Sequence, residues 1–297
     1  MANSKLKVGA SRERKGLFLT LPTLVIMAIT VFLPILWSLR LSFSKTNIKM
    51  TDMSFVGFKN YIHVLQSNDF LNVLLQTFGF VITTLFFEFV IGFVVAIVLN
   101  RSLPGTNLFK LLFTLPLIMA PVVSGLQWRW LFADQYGAIN NILSLVGIKG
   151  PLWMVDPWAA KGAVLISNLW LAAPFVILVL LAAMSSLPEE LYEAAKIDGA
   201  KSYQVFRYIT LPLLKPAILL ILVVRLADAF RVFDIVYILT QGGPGGSTEV
   251  LSTYIYKEVF TKLNFSEGAA ASFIVMLIIS IVSYFSFRLL RPKAGEM

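Results

Sequence analysis

The chain of 297 residues contains no cysteine. Thiol catalysis, disulfide frameworks and cysteine-ligated metal sites are therefore excluded. Histidine is almost as scarce: His63 stands alone in a polar loop, where a solvated imidazole is the ordinary state. Charged residues make up 14% of the chain and hydrophobic ones 58%. An average soluble domain is about 25% charged. Mean hydropathy is +0.80, and a soluble core does not hide that much apolar surface, so the class is integral membrane. Also missing is the pattern G-x-x-x-x-G-K-[ST], the phosphate cradle of nucleotide hydrolases. Asp198-Gly-Ala-Lys-Ser202 has the Lys-Ser pair without the glycine spacing. The sequence pI near 9.7 does not indicate nucleic acid, because the basic residues form no single stripe and instead flank apolar runs.

Six apolar runs reach the ~20 residues that a helix needs to cross the hydrocarbon core: 17–42, 73–99, 109–132, 160–186, 212–240 and 269–290. They lack the period-two alternation of barrel strands. Lipid offers the backbone no hydrogen-bond partner of its own, so all six are read as helices and the fold class as all-α. The first run is too long for a signal-peptide core and lacks a small-residue cleavage site, which makes it an uncleaved span. No internal repeat is visible. The expectation is one transmembrane domain over 17–291, with tails at 1–16 and 292–297. In the loop 133–159, Ile139, Ile142, Leu143 and Val146 recur at helical spacing and predict a surface helix ending near Gly147. Trp153 and Trp158 suit a membrane interface.

Basic residues gather on one side of the expected bilayer. Lys5, Lys7, Arg12, Arg14 and Lys15 lie in the N-terminal tail, Arg101 and Lys110 in the second loop, Lys196, Lys201, Arg207 and Lys215 around the fourth, and Arg288, Arg291 and Lys293 at the C-terminal end. The lysines of the opposite loops are offset by Asp52, Asp69, Asp134, Asp156, Glu249, Glu258 and Glu267. The positive-inside rule then places both termini and the loop 188–211 in the cytoplasm.

That loop is charged and helix-forming, and it is held between the fourth and fifth spans. Ser186 and Glu189 fit a capping box, and Pro188 falls in the first turn, where its missing N–H costs nothing. Gly199 is placed to end the helix in the left-handed conformation. A second helix starts near Ser202, giving a helix–turn–helix along the cytoplasmic face. Small Ala194 and Ala195 permit close packing against another protein. From the residues alone, a docking element and an amphipathic tether fit equally well.

The pattern separates them. Glu193-Ala194-Ala195, then Gly199, then Ile209-Thr210-Leu211-Pro212 resemble the cytoplasmic motif of ABC importer permeases: EAA, three residues, G, nine residues, I-x-L-P. Every element is present. Ile197-Asp198-Gly199-Ala200, Gly137-Ala-Ile-Asn140, Trp170 with Pro174-Phe175, Phe233-Asp234 and Thr240-Gln-Gly242-Gly243-Pro244 are similar to the carbohydrate-uptake branch, in its compact six-span members such as the maltose and glycerol-3-phosphate importer permeases. The resemblance implies a multi-pass protein of a bacterial cytoplasmic membrane. It implies a coupling helix that sits in a groove of an ATPase subunit, carried here by Glu190, Glu193, Ala194, Ala195, Asp198, Gly199, Ile209, Leu211 and Pro212. It implies two such ATPases, which bind ATP and magnesium, so that this chain holds no cofactor or metal and is not an enzyme. It also implies a second, non-identical permease, and an extracytoplasmic substrate-binding protein that docks at Gly242, Gly243 and Pro244. A glycine-rich turn alone is equally a linker.

The fifth run carries Arg225, Asp228, Arg231 and Asp234 at spacings of three, the distance of helix neighbours, which predicts Arg225–Asp228 and Arg231–Asp234 pairs. A charge at the bilayer centre costs at least ~2.5–3.5 kcal/mol, so these groups face the bundle interior or a watery cavity. Either they line a path for polar solutes, or they form an ion-pair network that locks the helix; for Asp234 the structural role is preferred. Phe230, Phe233 and Tyr237 interleave with them, and Trp170 and Asn168 approach from the fourth span. Sugar binding needs paired hydroxyl partners and aromatic faces, which this set contains. Glu88, deep in the second span, is read as hydrogen-bonded or protonated; it is counted with the candidate path residues, with internal packing as the alternative. Pro116, Pro121 and Pro174 interrupt their helices as hinges or cavity-lining breaks.

The reading is an importer permease subunit for a sugar, glycoside or polyol. An importer of non-carbohydrate solutes is the nearest alternative. An ion-coupled carrier would have shown inverted-repeat symmetry, and an embedded enzyme would have brought two carboxylates to one site.

Overall fold

The computed structural model describes residues 20–101 and 105–290, so the tails 1–16 and 292–297 lie outside the described residues. Helix α1 (Thr20–Ser42) contains a π-turn at Ala28–Phe32. Pro34 causes it, because proline has no N–H to return to the carbonyl four residues back. A short antiparallel ribbon follows, β1 (Ser44–Thr46) with β2 (Met53–Phe55), Ser44 facing Phe55. The all-α expectation missed it, since three-residue strands are too short to show a period. α2 (Lys59–Gln66) precedes α3 (Asn68–Leu99), which Ser67 caps by accepting the Phe70 N–H. At 1.5 Å per residue α3 is about 48 Å long, more than a bilayer core.

The third expected span is not one helix. α4 (Thr106–Thr114) passes through a tight turn at Leu115–Ile118 and bends by 104° into α5 (Pro121–Leu131). Pro121 suits a first turn and so starts a new helix in a new direction. α6 (Ala138–Leu145) is the expected surface helix, ended by Gly147 at φ +76°. α7 (Pro157–Ser185) is capped by Asp156, which accepts from the Trp158 and Ala159 amides. Pro174 was expected to interrupt this helix; it sits buried inside a continuous one.

α8 (Glu189–Ile197) and α9 (Ser202–Leu213) form the expected helix–turn–helix. The fifth expected span bends by 66° where α9 meets α10 (Lys215–Phe230), and breaks again before α11 (Asp234–Leu239). α12 (Leu251–Tyr256) runs into a π-turn at Lys257–Thr261, and α13 (Phe265–Leu290) completes the chain. Among the described residues, four helices are long and apolar enough to cross a membrane, or up to six if each bent pair counts as one span.

The described residues fall into two compact units. One draws on residues 20–65 and 258–274, the other on residues 66–101, 105–257 and 275–290. In the first, Asn60 donates to the carbonyls of Ser42 (2.8 Å) and Ser44 (2.9 Å), and His63 meets Glu267 at 3.0 Å. In the second, α3 packs along α7. Ala96, Leu99, Val176, Ile177, Leu180 and Ile221 form its inner core. The close approach rests on Gly92, where a Cβ would lie 2.5 Å from the Val176 side chain. A second cluster joins Phe132, Ala163, Val164, Ile235, Val236 and Leu239.

Candidate translocation and coupling sites

A continuous chain of charge runs through the second unit. Glu88, wholly buried on α3, takes two hydrogen bonds from Arg225 on α10: Nε to Oε2 and Nη2 to Oε1, both 2.9 Å. Arg225 Nη1 donates to Asp228 Oδ2 at 3.2 Å, and Arg231 Nη2 donates to Asp228 Oδ1 at 2.9 Å. Exposure rises outward along the chain, from 0% for Glu88 through 11% and 43% to 67% for Arg231. The two-pronged fork is the geometry in which a guanidinium best satisfies a carboxylate. Glu88 is thus held by hydrogen bonds and an ion pair inside the protein.

Two expectations fail here for one reason. Arg231 turns back to Asp228 and to the Ala227 carbonyl (3.2 Å) instead of forward to Asp234. Helix α10 ends at Phe230, so helical spacing no longer relates residues 231 and 234; Asp234 instead opens the first turn of α11, where its charge favours the helix dipole. Phe230 was expected along the path. It is 1% exposed and packs edge-on against Phe78, with centroids 5.2 Å apart, because it occupies the last turn facing α3.

The aromatic face lies further along. Phe233 stacks on Tyr237 at 5.1 Å and meets Tyr256 at 5.2 Å; Tyr237 and Tyr256 are 5.0 Å apart. A hydrogen bond with Tyr237 raises the Tyr256 phenol above its ordinary range. Tyr256 escaped the sequence reading because it lies in a different element from the fifth run. Trp170 meets Trp128 edge-on at 6.0 Å, and Asn168 is buried with its amide nitrogen unpartnered.

The coupling element ends as its glycine requires. Gly199 has φ +72°, its N–H bonds to Lys196 O (3.2 Å), and the Ala200 N–H bonds to Ala195 O (2.9 Å). This is the paired closure of a Schellman motif. The start differs from expectation. Ser186 closes α7 by donating to Ala183 O (2.8 Å), and Pro188 stands at the N-cap of α8 with no side-chain cap, so the capping box is absent. Glu190, Glu193, Ala194 and Asp198 are exposed, and Ala195 is buried. Tyr192 and Thr210 share a hydrogen bond of 3.1 Å that ties α8 to α9. Ile209, Leu211 and Pro212 lie within α9.

The glycine-rich turn is braced. Thr248 Oγ1 bonds to Thr240 Oγ1 and to Gly243 O, both 2.7 Å, and Glu249 pairs with Lys257 at 2.8 Å. Gly242, Gly245 and Gly246 adopt positive φ, which their side chains' absence allows. Trp153 organises its loop by donating through Nε1 to Asn140 (2.7 Å) and through its amide to Asp134 (2.9 Å).

Bent apolar helices, an exposed helix–turn–helix and a buried charge chain define a multi-pass membrane subunit of a transport system. Residues 65–296 match the family described as binding-protein-dependent transport system inner membrane component, and the chain belongs to it. It is 34% identical to the trehalose/maltose transport system permease protein MalF of Thermococcus litoralis, covering 99% of this chain and 97% of the relative. The trehalose transport system permease protein SugA of Mycobacterium tuberculosis is 30% identical, over 96% of this chain and 91% of its own. A solved chain of a bacterial ABC transporter that imports the acidic polysaccharide alginate has the same fold, with a TM-score of 0.85 at 24% identity over 98% of this chain and 100% of that one.

Proposed function

We propose that this chain is the permease subunit of an ATP-driven importer and forms half of the translocation path for a sugar, glycoside or polyol. The observation that carries the reading is the exposed helix α8, ended by Gly199 and tied by Tyr192–Thr210 to α9, which continues toward the helix holding Arg225 and Asp228. Motion imposed on α8 by a docked ATPase has a rigid route into the bundle. Two ATPase subunits supply ATP and magnesium chemistry. A second, non-identical permease completes the path, and an extracytoplasmic binding protein delivers its ligand at the braced turn 242–244. Asp228 and Arg231 offer the path a carboxylate and a guanidinium, while Phe233, Tyr237 and Tyr256 offer aromatic faces to sugar C–H surfaces. The names of the relatives, permeases of trehalose and maltose systems, support the solute class.

In this reading residues 17–291 make one permease domain of a bacterial cytoplasmic membrane, with both tails and the loop 188–211 in the cytoplasm. The absence of native cysteine makes the topology directly testable. Asn3→Cys and Gly295→Cys are expected to react with impermeant reagent only from the cytoplasmic side; labelling of either from outside overturns the topology. The function is tested by reconstituting the chain with its ATPases, second permease and binding protein. ATP-dependent uptake of a saccharide is expected, and uptake driven by an ion gradient without ATPases overturns the reading.

A further inference from the structure

Apart from the charge chain, the second unit holds a cavity of about 620 Å³ between the first turns of α7, the early turns of α3 and the turn 247–250. Both helices place a glycine in its lining, and a Cβ on Gly79 or Gly162 would meet nothing within 4 Å, so the space beside them is open. Its wall includes Phe80 and Trp158. Lys161 holds its ammonium 4.7 Å from the centre of the Trp158 ring and has no carboxylate partner among the described residues. The one carboxylate in the lining, Glu249, is already paired with Lys257. Ser247 and Thr248 of the turn complete the wall. The Gln76 carboxamide, oriented to donate, holds the turn through the carbonyls of Gly246 (2.9 Å), Ser247 and Glu249 (both 3.2 Å). Beside the mouth, Leu75 and Ile82 are 70% and 66% exposed and Trp158 is 79% exposed.

The residues thus combine a cation without a carboxylate partner and an aromatic rim flanked by apolar side chains. The cation suits a phosphodiester, and exposed tryptophan with lysine at a helix end is the arrangement of a membrane–water boundary. The exposed aliphatic side chains provide a surface for acyl chains. We propose that this cavity binds the headgroup of an anionic phospholipid, with Lys161 on the phosphate, at the mouth of the α3–α7 pair.

The test is native mass spectrometry of the assembled importer in detergent, titrated with phosphatidylglycerol or phosphatidylcholine, with vesicle uptake measured in parallel. The wild-type complex is expected to retain phosphatidylglycerol in preference to phosphatidylcholine. Lys161→Gln is expected to lower phosphatidylglycerol retention by about fivefold and remove the preference, the effect of one basic residue at an anionic surface. Gly162→Leu fills the cavity while keeping the charge, and is expected to lower retention of both lipids. Retention unchanged in both variants overturns the proposal. So does equal, Lys161-dependent binding of soluble sn-glycerol 3-phosphate, which would make this a site for free anions, or a crosslink from position 162 to a neighbouring subunit, which would make it an interface. Saccharide uptake that persists while lipid selectivity is lost, or the reverse, separates this site from the transport reading.

Discussion

Arg225 grips Glu88 with two parallel hydrogen bonds of 2.9 Å, joining positions 137 residues apart on α10 and α3. The carboxylate has no exposure and the guanidinium little. A pair of this kind adds less to stability than its geometry suggests, because both ions were stripped of water. Removing one partner is a different matter, since it strands the other. Glu88→Ala is expected to destabilise the chain by about 3–5 kcal/mol, seen as a lowered unfolding temperature in detergent. The double variant Glu88→Leu with Arg225→Met is expected to recover most of that loss without recovering uptake. If the single variant melts like wild type, the pair is not buried in the working protein.

Asp228 is the branch point, holding Arg225 through Oδ2 and Arg231 through Oδ1. It is 43% exposed, so its worth to stability is discounted by solvent screening. Asp228→Asn keeps the shape and weakens both charge-assisted bonds. Uptake is expected to fall by roughly tenfold or more, the scale of losing one hydrogen bond to a charged group, with assembly and basal ATP hydrolysis retained. Normal uptake would reduce the chain of charge to scaffolding.

What the sequence made legible follows from what is local. Hydropathy located α1, α3, α7 and α13, because a span is a property of consecutive residues. Gly199 was legible because a left-handed helix end needs glycine within a few residues of the last turn. Pro116 and Pro121 marked the break between α4 and α5, although its 104° bend depends on what each half packs against. The Glu88–Arg225 fork was hidden, since nothing local selects one arginine for a carboxylate on another span. The Arg231–Asp234 pair failed because an uninterrupted helix was assumed through Phe230–Asp234. The capping box failed because Ser186 was already committed to closing α7. Tyr256 joined the aromatic cluster from a separate element.

Gly199 separates conformation from contact. A Cβ there meets no atom within 4 Å, so any penalty comes from φ +72° alone. Gly199→Asn is expected to be tolerated, since asparagine visits this region. Gly199→Val is expected to cost at least about 1–2 kcal/mol locally and to loosen the end of α8. The readout is saccharide transported per ATP hydrolysed in the reconstituted complex. The valine variant is expected to hydrolyse ATP with little uptake, and Glu193→Ala, on the exposed face, to weaken ATPase retention. Equal coupling ratios for wild type, asparagine and valine would show that α8 does not transmit the stroke.

Gly92 tests the α3–α7 contact against helix propensity. In an isolated helix, glycine to alanine stabilises by about 1 kcal/mol. Here the new methyl would sit 2.5 Å from Val176 Cγ1, closer than carbon atoms approach, and 3.1 Å from its Cβ. Val176 is wholly buried against Leu180 and Ala96, so it has no room to rotate away. Overpacking of this kind costs about 1–3 kcal/mol, enough to reverse the propensity gain. Gly92→Ala is therefore expected to lower the unfolding temperature. Adding Val176→Ala is expected to restore it, because the space returned on α7 accommodates the methyl gained on α3. A Gly92→Ala protein that melts above wild type would mean that the two helices stand further apart than this geometry requires.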